Sequence, residues 1–157
     1  MSFTAPNSVP TSNDADQTLS NHPFYPDISL LAFRQSMRVD SITSKERAVA
    51  ALEAAIIEVN RRLISFMQAQ LSQGIETLDE VAEQAGLPEG SNEVLYLRAV
   101  YSLAKADLVE KYRDYDTTNK GTHRADELEQ SINEYRRDAA WAINDLSQIR
   151  RATVELI

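Results

Sequence analysis

The sequence predicts an all-α protein, and three observations lead to that expectation. Glycine and proline are scarce, with four and five in 157 residues, which favours long helices over a loop-rich β fold. Apolar residues recur three and four apart along three separate stretches, the period of an amphipathic helix. Turn-forming and capping residues punctuate those stretches where helices would begin and end. The expected architecture is an antiparallel bundle of three long helices with short accessory helices. A disordered N-terminal arm precedes it and an extended C-terminal tail follows.

Residues 1–22 are rich in Ser, Thr, Asn, Asp and Pro and nearly devoid of large apolar side chains. Such a segment buries too little surface to offset its ordering entropy, so it reads as a disordered arm. The character changes at Pro23-Phe24-Tyr25-Pro26-Asp27-Ile28. Its two prolines bias the chain towards extended or turn geometry, while Phe24, Tyr25 and Ile28 supply apolar mass. This stretch either staples onto the helices or inserts into a neighbouring subunit. A short helix over about Ser29–Met37 follows, with Ser29 as its N-cap.

Thr43 and Glu46 make a capping-box pattern, and Gly74 stands where a C′ glycine would close a helix. Between them Val49, Leu52, Ile56, Val59, Leu63 and Phe66 form one stripe. About thirty helical residues would make a rod of roughly 45 Å. Ile57, Ile64, Met67 and Leu71 leave it a second, residual apolar side for neighbours. Thr77 and Glu80 can cap a short helix through Gln84, closed by Gly86, and Leu87-Pro88-Glu89-Gly90 reads as a turn.

The second long helix is expected from Ser91 or Asn92 to about Tyr115, with Val94, Leu97, Tyr101, Ala104, Leu108, Tyr112 and Tyr115 as its stripe. Residues 116–121 are turn formers. The third long helix starts between Thr122 and Asp126 and carries Leu128, Ile132, Tyr135, Ala139, Ala142, Ile143 and Leu146. A short connection makes these two an antiparallel hairpin, with the first rod packed across it. The domain layout is therefore an arm over 1–22, a helical bundle over 23–150 and a tail over 151–157. The tail alternates apolar and polar residues like a strand, and could pair with another chain by β-augmentation.

Catalytic chemistry is hard to find. His22 and His123 are the only imidazoles, and neither lies in a Glu-x-x-His pattern. No zinc helix, phosphate-cradling glycine loop or nucleophile elbow is present in the sequence. Cysteine is absent, which removes thiolate metal sites and disulfides. No catalytic, cofactor-binding or metal-binding residues are predicted, and no cofactor. The tyrosines lie on or near helix stripes as packing residues, and Trp141 is either a packing residue or an interface anchor. The formal charge of −8 argues against wrapping nucleic acid, and no apolar run is long enough to span a bilayer.

The hairpin region carries a resemblance. Tyr96-Leu97-Arg98-Ala99-Val100-Tyr101, Ala104-Lys105-Ala106-Asp107-Leu108 and Tyr112-Arg113-Asp114-Tyr115-Asp116-Thr117-Thr118 run in order. Lys120-Gly121, Ala125-Asp126-Glu127-Leu128-Glu129, Ile132-Asn133, Arg136-Arg137-Asp138-Ala139 and Trp141-Ala142-Ile143 follow them. This run, together with Phe24-Tyr25-Pro26-Asp27-Ile28, resembles the GPL-type head completion proteins of contractile-tailed phages, over about residues 24–147.

The resemblance implies a virion protein of the head–tail neck, assembled in the host cytoplasm. It implies binding to the portal protein after DNA packaging, contact with other neck and tail components, and self-association into a twelvefold ring. Packaged DNA would pass through the ring without sequence-specific binding, and the ring would help to retain the genome and admit the tail. Two interface expectations follow. Phe24, Tyr25 and Ile28 would fill a groove between subunits, and Val154, Leu156 and Ile157 would dock on the portal. The alternatives are a small helical regulator of a host protein, or another neck component such as a stopper.

Overall fold

The computed structural model describes residues 17–115 and 122–147. Six helices account for most of them: α1 (Leu30–Met37), α2 (Lys45–Arg62), α3 (Ile64–Ser72), α4 (Leu78–Gln84), α5 (Ser91–Tyr115) and α6 (Thr122–Leu146). Two short strands, β1 (Thr18–Leu19) and β2 (Ile28–Ser29), pair antiparallel with Leu19 opposite Ile28.

That pairing shortens the expected arm. Residues 17–22, read from composition as part of a disordered segment, belong to the folded body. Leu19 is buried, and the chain returns through the turn at 23–25 so that β2 can pair with β1. One apolar side chain and a main-chain ladder anchor a stretch whose average composition looked too polar to fold. The tail over 151–157, with Val154, Leu156 and Ile157, lies outside the described residues.

Local signals explain most helix ends. The Ser29 hydroxyl accepts from the Ala32 N–H, and the Thr77 hydroxyl accepts from the Glu80 N–H, as the cap patterns predict. Ahead of α2 the cap is Ser44, which accepts from the Arg47 N–H, rather than Thr43. Thr43 instead gives its carbonyl to Arg34. At the other end of the rod, Gly74 has φ +82°, with Gly74 N–H donating to Leu71 and Ile75 N–H to Gln70. This is a Schellman closure, and Ile75 directly after it is buried. The same pair of bonds recurs at Gly86 and Leu87 after α4.

The expected thirty-residue rod is not continuous. Leu63, with φ −93° and ψ 4°, separates α2 from α3. Leu63 is buried, while α3 beyond it has no fully buried residue. The two pieces therefore differ in what they pack against. α2 buries Ala48, Ala51, Leu52, Ala55, Ile56 and Val59, whereas α3 only leans Phe66 and Met67 on the core.

α5 is the centre of the fold. α2 and α6 each pack along it, and α1 and α4 also touch it, while α2 and α6 hardly approach one another. The Arg98–Asp138 and Arg136–Glu110 ion pairs fix α6 antiparallel to α5. Asn60, near the end of α2, meets Tyr96, near the start of α5, so α2 is antiparallel to α5 as well. The long helices thus form a layer with α5 in the middle: the α5–α6 hairpin is present, and α2 runs antiparallel along α5 rather than across the hairpin.

A central helix is covered on several sides, which blurs its stripe. Val94, placed on the apolar face by periodicity, is 66% exposed, whereas Tyr96 is fully buried. Small residues explain how neighbours approach so closely. Ala99, Ser102, Ala104 and Ala106 are buried along α5, and Ala139 and Ala142 along α6. No helix among the described residues is long and apolar enough to cross a membrane.

Candidate interaction surfaces

The Phe24–Ile28 segment was expected to fill a groove between subunits. The structure instead buries Phe24, Tyr25 and Ile28 in the chain's own core, against α2, α4 and α5. Phe24 meets Tyr25 edge-on at 5.0 Å and Phe66 at 6.2 Å between centroids. Tyr25 stacks on Tyr96 at 4.7 Å with the rings 12° from parallel. The Phe24 carbonyl accepts from the Leu78 N–H, which ties α4 to the same spot. Within the chain these contacts hold the segment against the helices. Burying three large apolar groups within one chain is worth about 1.5–3 kcal/mol each.

Beneath this aromatic layer lies a closed polar ring. Asn21 Nδ2 donates to the Tyr96 hydroxyl at 2.8 Å, and that hydroxyl donates to Asn60 Oδ1 at 2.6 Å. Asn60 Nδ2 then donates to Asn21 Oδ1 at 2.9 Å, completing the circuit. Asn21 also donates to the Pro26 carbonyl and, through its main chain, to Asp27. Three buried or half-buried polar side chains from β1's continuation, α2 and α5 satisfy one another, so their desolvation is compensated. Burial pushes the Tyr96 hydroxyl up to about 12, partly offset by the Asn21 bond, and raises Tyr25 still further with Tyr96 beside it.

This ring was invisible to periodicity. Asn60 sits four residues after Ile56 and three before Leu63, on the edge of the apolar stripe, and that position was its only signal. Asn21 lies in the segment that composition assigned to the arm.

The outward faces have a different character. Ile57, Ile64 and Leu71 are 57%, 48% and 40% exposed, so the residual apolar side read from sequence is a real surface on α2 and α3. Met67, counted with them, is partly buried against the core. From Leu63 to Ile75 no charged residue occurs, in a chain where a quarter of residues are charged. On α6, Trp141 is 38% exposed, with the Arg137 guanidinium 5.1 Å from its ring centroid.

An open groove lies where the α1–α2 connection meets α5, lined by Arg38, Val39, Asp40, Thr43, Lys105, Leu108 and Val109. Lys105 Nζ donates to the Arg38 carbonyl there, and partial burial lowers its pKa against the opposing pull of Asp40. Among the described residues, no three His, Asp or Glu side chains gather as a metal site.

A family model described as phage head completion protein (GPL) matches residues 19–157, beginning at the first residue of the core. The chain is 28% identical over 149 residues to the head completion/stabilization protein of Escherichia phage P2, covering 95% of this chain and 88% of that protein. It is 27% identical over 116 residues to the probable head completion/stabilization protein of Haemophilus phage HP1 (strain HP1c1), covering 67% and 77%. No solved structure matches. With a match running from Leu19 through every described helix, the chain belongs to the phage head completion protein (GPL) family.

Proposed function

We propose that this protein completes the phage head by binding the portal vertex after packaging, where copies of it form a ring that extends the channel. The ring helps to retain the genome and presents the surface to which the tail attaches. The family match over residues 19–157 carries this reading, and the head completion/stabilization relatives point the same way.

Two physical features support it. A ring needs head-to-tail contacts between two different surfaces, and a layer with α2 and α6 on separate sides of α5 offers two unlike flanks. The formal charge of −8 suits a conduit past which DNA slides, because each phosphate neutralised by a basic residue would add affinity and slow passage. Twelve copies is the stoichiometry that the resemblance implies, matching a twelvefold portal. Val154, Leu156 and Ile157 are proposed to reach the portal, with main-chain hydrogen bonds from an extended segment giving affinity.

Mass photometry and electron microscopy of purified portal with added protein test the proposal. A ring-sized, multi-copy complex on the portal is the expected result. A tight dimer indifferent to portal would turn the reading towards a helical regulator. Deleting residues 152–157 should abolish portal binding, and undiminished binding would remove the tail from the contact.

A further inference from the structure

Two exposed stripes run along unlike flanks of the layer. On α2 and α3, Ile57, Arg61, Ile64, Gln68 and Leu71 follow one another at spacings of four and three, all exposed. The hydrogen bonds from Leu63 N–H to Val59 and from Met67 N–H to Leu63 carry the turn across the break, and within each helix this spacing keeps the stripe residues on one face. On α6, Gln130, Glu134, Arg137, Trp141 and Asp145 do the same over about 22 Å, also all exposed. Both stripes lie opposite the faces that their helices bury. Leu52, Ile56, Val59 and Leu63 mark the buried side of the first, and Ile132, Ala139, Ile143 and Leu146 that of the second. Because α2 and α6 reach α5 separately and hardly touch each other, one molecule cannot bring its own two stripes together.

The stripes differ in chemistry in a complementary way. The first is mainly aliphatic, and its one charge is Arg61. Along α2, Lys45, Arg47, Arg61 and Arg62 stand against Glu46, Glu53 and Glu58, and α3 adds no charge. The second centres on one large aromatic ring beside carboxylates. Along the described side chains of α6, Arg136 and Arg137 stand against Glu129, Glu134, Asp138 and Asp145. On the stripes themselves Arg61 leaves the first flank basic, while Glu134 and Asp145 against Arg137 leave the second acidic.

We infer that the aliphatic α2–α3 flank of one copy docks on the Trp141 flank of α6 of the next copy. The occupant follows from charge and chemistry. Two acidic molecules repel over most of their surfaces, and like faces in contact would set α6 carboxylates against α6 carboxylates. Head-to-tail contact instead meets acidic α6 with the basic, partly charge-free flank, and covers Trp141 with Ile57, Ile64 and Leu71. An aromatic anchor in a cluster of aliphatic side chains is the usual centre of an interface. A contact between two different faces also leaves a free copy of each at the ends, so it propagates until a ring closes. This inference rests on the ring reading above and names the surfaces that make the ring.

The chain contains no cysteine, so disulfide trapping has no background from native thiols. Ile64→Cys and Trp141→Cys are prepared as separate full-length variants, each checked for native helicity by circular dichroism. They are mixed in equal amounts with purified portal and oxidised briefly. The expected result is a mixed disulfide dimer, enriched about ten-fold over either variant alone because docking raises the local thiol concentration. The double variant should give a ladder of larger species. Multi-copy assembly on portal without the mixed product would overturn the inference and leave the ring standing. Self-paired Ile64→Cys dimers as the main product would overturn it in favour of a face-to-face contact. Failure of wild-type protein to load portal in several copies would remove the ring reading, and this inference with it.

Discussion

The Asn21–Tyr96 region and α3 stand side by side, joined through Leu63, yet they are built on opposite rules. In the first, Phe24, Tyr25, Ile28 and Tyr96 are fully or almost fully buried, and their polar atoms are satisfied by Asn21, Asn60 and the main chain. In the second, nine residues without a charge leave none buried. One region spends its apolar surface on the chain's own stability, while the other leaves it on display. An aromatic, proline-flanked segment in a lead-in position therefore tells little by itself about partners, because it can equally complete the core.

Truncation at the centre of the buried region should have the largest effect. Phe24 contacts Tyr25, Phe66 and, through its carbonyl, Leu78, so Phe24→Ala opens a cavity where three elements meet. A loss of about 3–5 kcal/mol is expected in urea unfolding. A loss below about 1 kcal/mol would mean that the segment is only loosely seated.

Removing a single atom tests the polar ring rather than the packing. Tyr96→Phe keeps the stack on Tyr25 but takes the hydroxyl from both Asn21 Nδ2 and Asn60 Oδ1. Leaving those groups without it should cost about 1–3 kcal/mol. The same hydroxyl predicts a pH dependence. Its folded pKa of about 12 lies above the ordinary tyrosine value of 10.0, so the unfolded chain loses this proton first. Stability is fully present below pH 10 and is lost as pH rises from there through about 12, with Tyr25, raised in the same direction, adding to the slope. Unfolding free energies measured from pH 9 to 12 should fall less steeply for Tyr96→Phe than for wild type.

The same contrast explains what could be read from the sequence. Helix ends were legible because caps act over three or four residues: Ser29, Thr77, Gly74 and Gly86 each sit where the structure uses them. The helical class and the exposed side of Ile57, Ile64 and Leu71 followed from period, and the α5–α6 hairpin from the short turn-forming connection between its helices. The fate of Phe24, Tyr25 and Ile28 did not, because only the tertiary fold decides whether an apolar segment finds its cover at home. Tyr96 and Val94 exchanged roles for a related reason. A helix packed by neighbours on several sides has no single stripe for periodicity to find. The break at Leu63 has no proline or glycine to announce it. It coincides with the point where the Tyr25 hydroxyl approaches the Leu63 carbonyl, at 3.5 Å, and where core cover stops.

A smaller effect is expected where α3 ends. Gly74 has φ +82° with open space around the position of a Cβ, so Gly74→Ala meets no clash and bears only the left-handed strain, about 1 kcal/mol. The turn after α3 also places Ile75 and Leu78 in the core. Thermal unfolding should therefore register the change as part of the global transition. If α3 instead unfolds by itself in hydrogen exchange, the helix is less firmly joined to the fold than its Schellman closure suggests.

The smallest stability effect belongs to the exposed stripe, and there the small value is informative. Ile64→Ser removes an apolar side chain that is nearly half exposed, on a helix with no buried residue, so its cost should stay within about 0.5 kcal/mol. The same substitution deletes the middle of the Ile57–Leu71 stripe and should reduce the number of copies that load onto portal. Phe24→Ala would give the reverse pattern: large loss of stability, and assembly impaired only in proportion to the unfolded fraction. If Ile64→Ser destabilises the free chain as much as a core truncation, α3 is a structural helix and its apolar face is covered within the molecule. If stability holds while assembly falls, the charge-free helix serves contacts between molecules, and the division of labour on either side of Leu63 is functional.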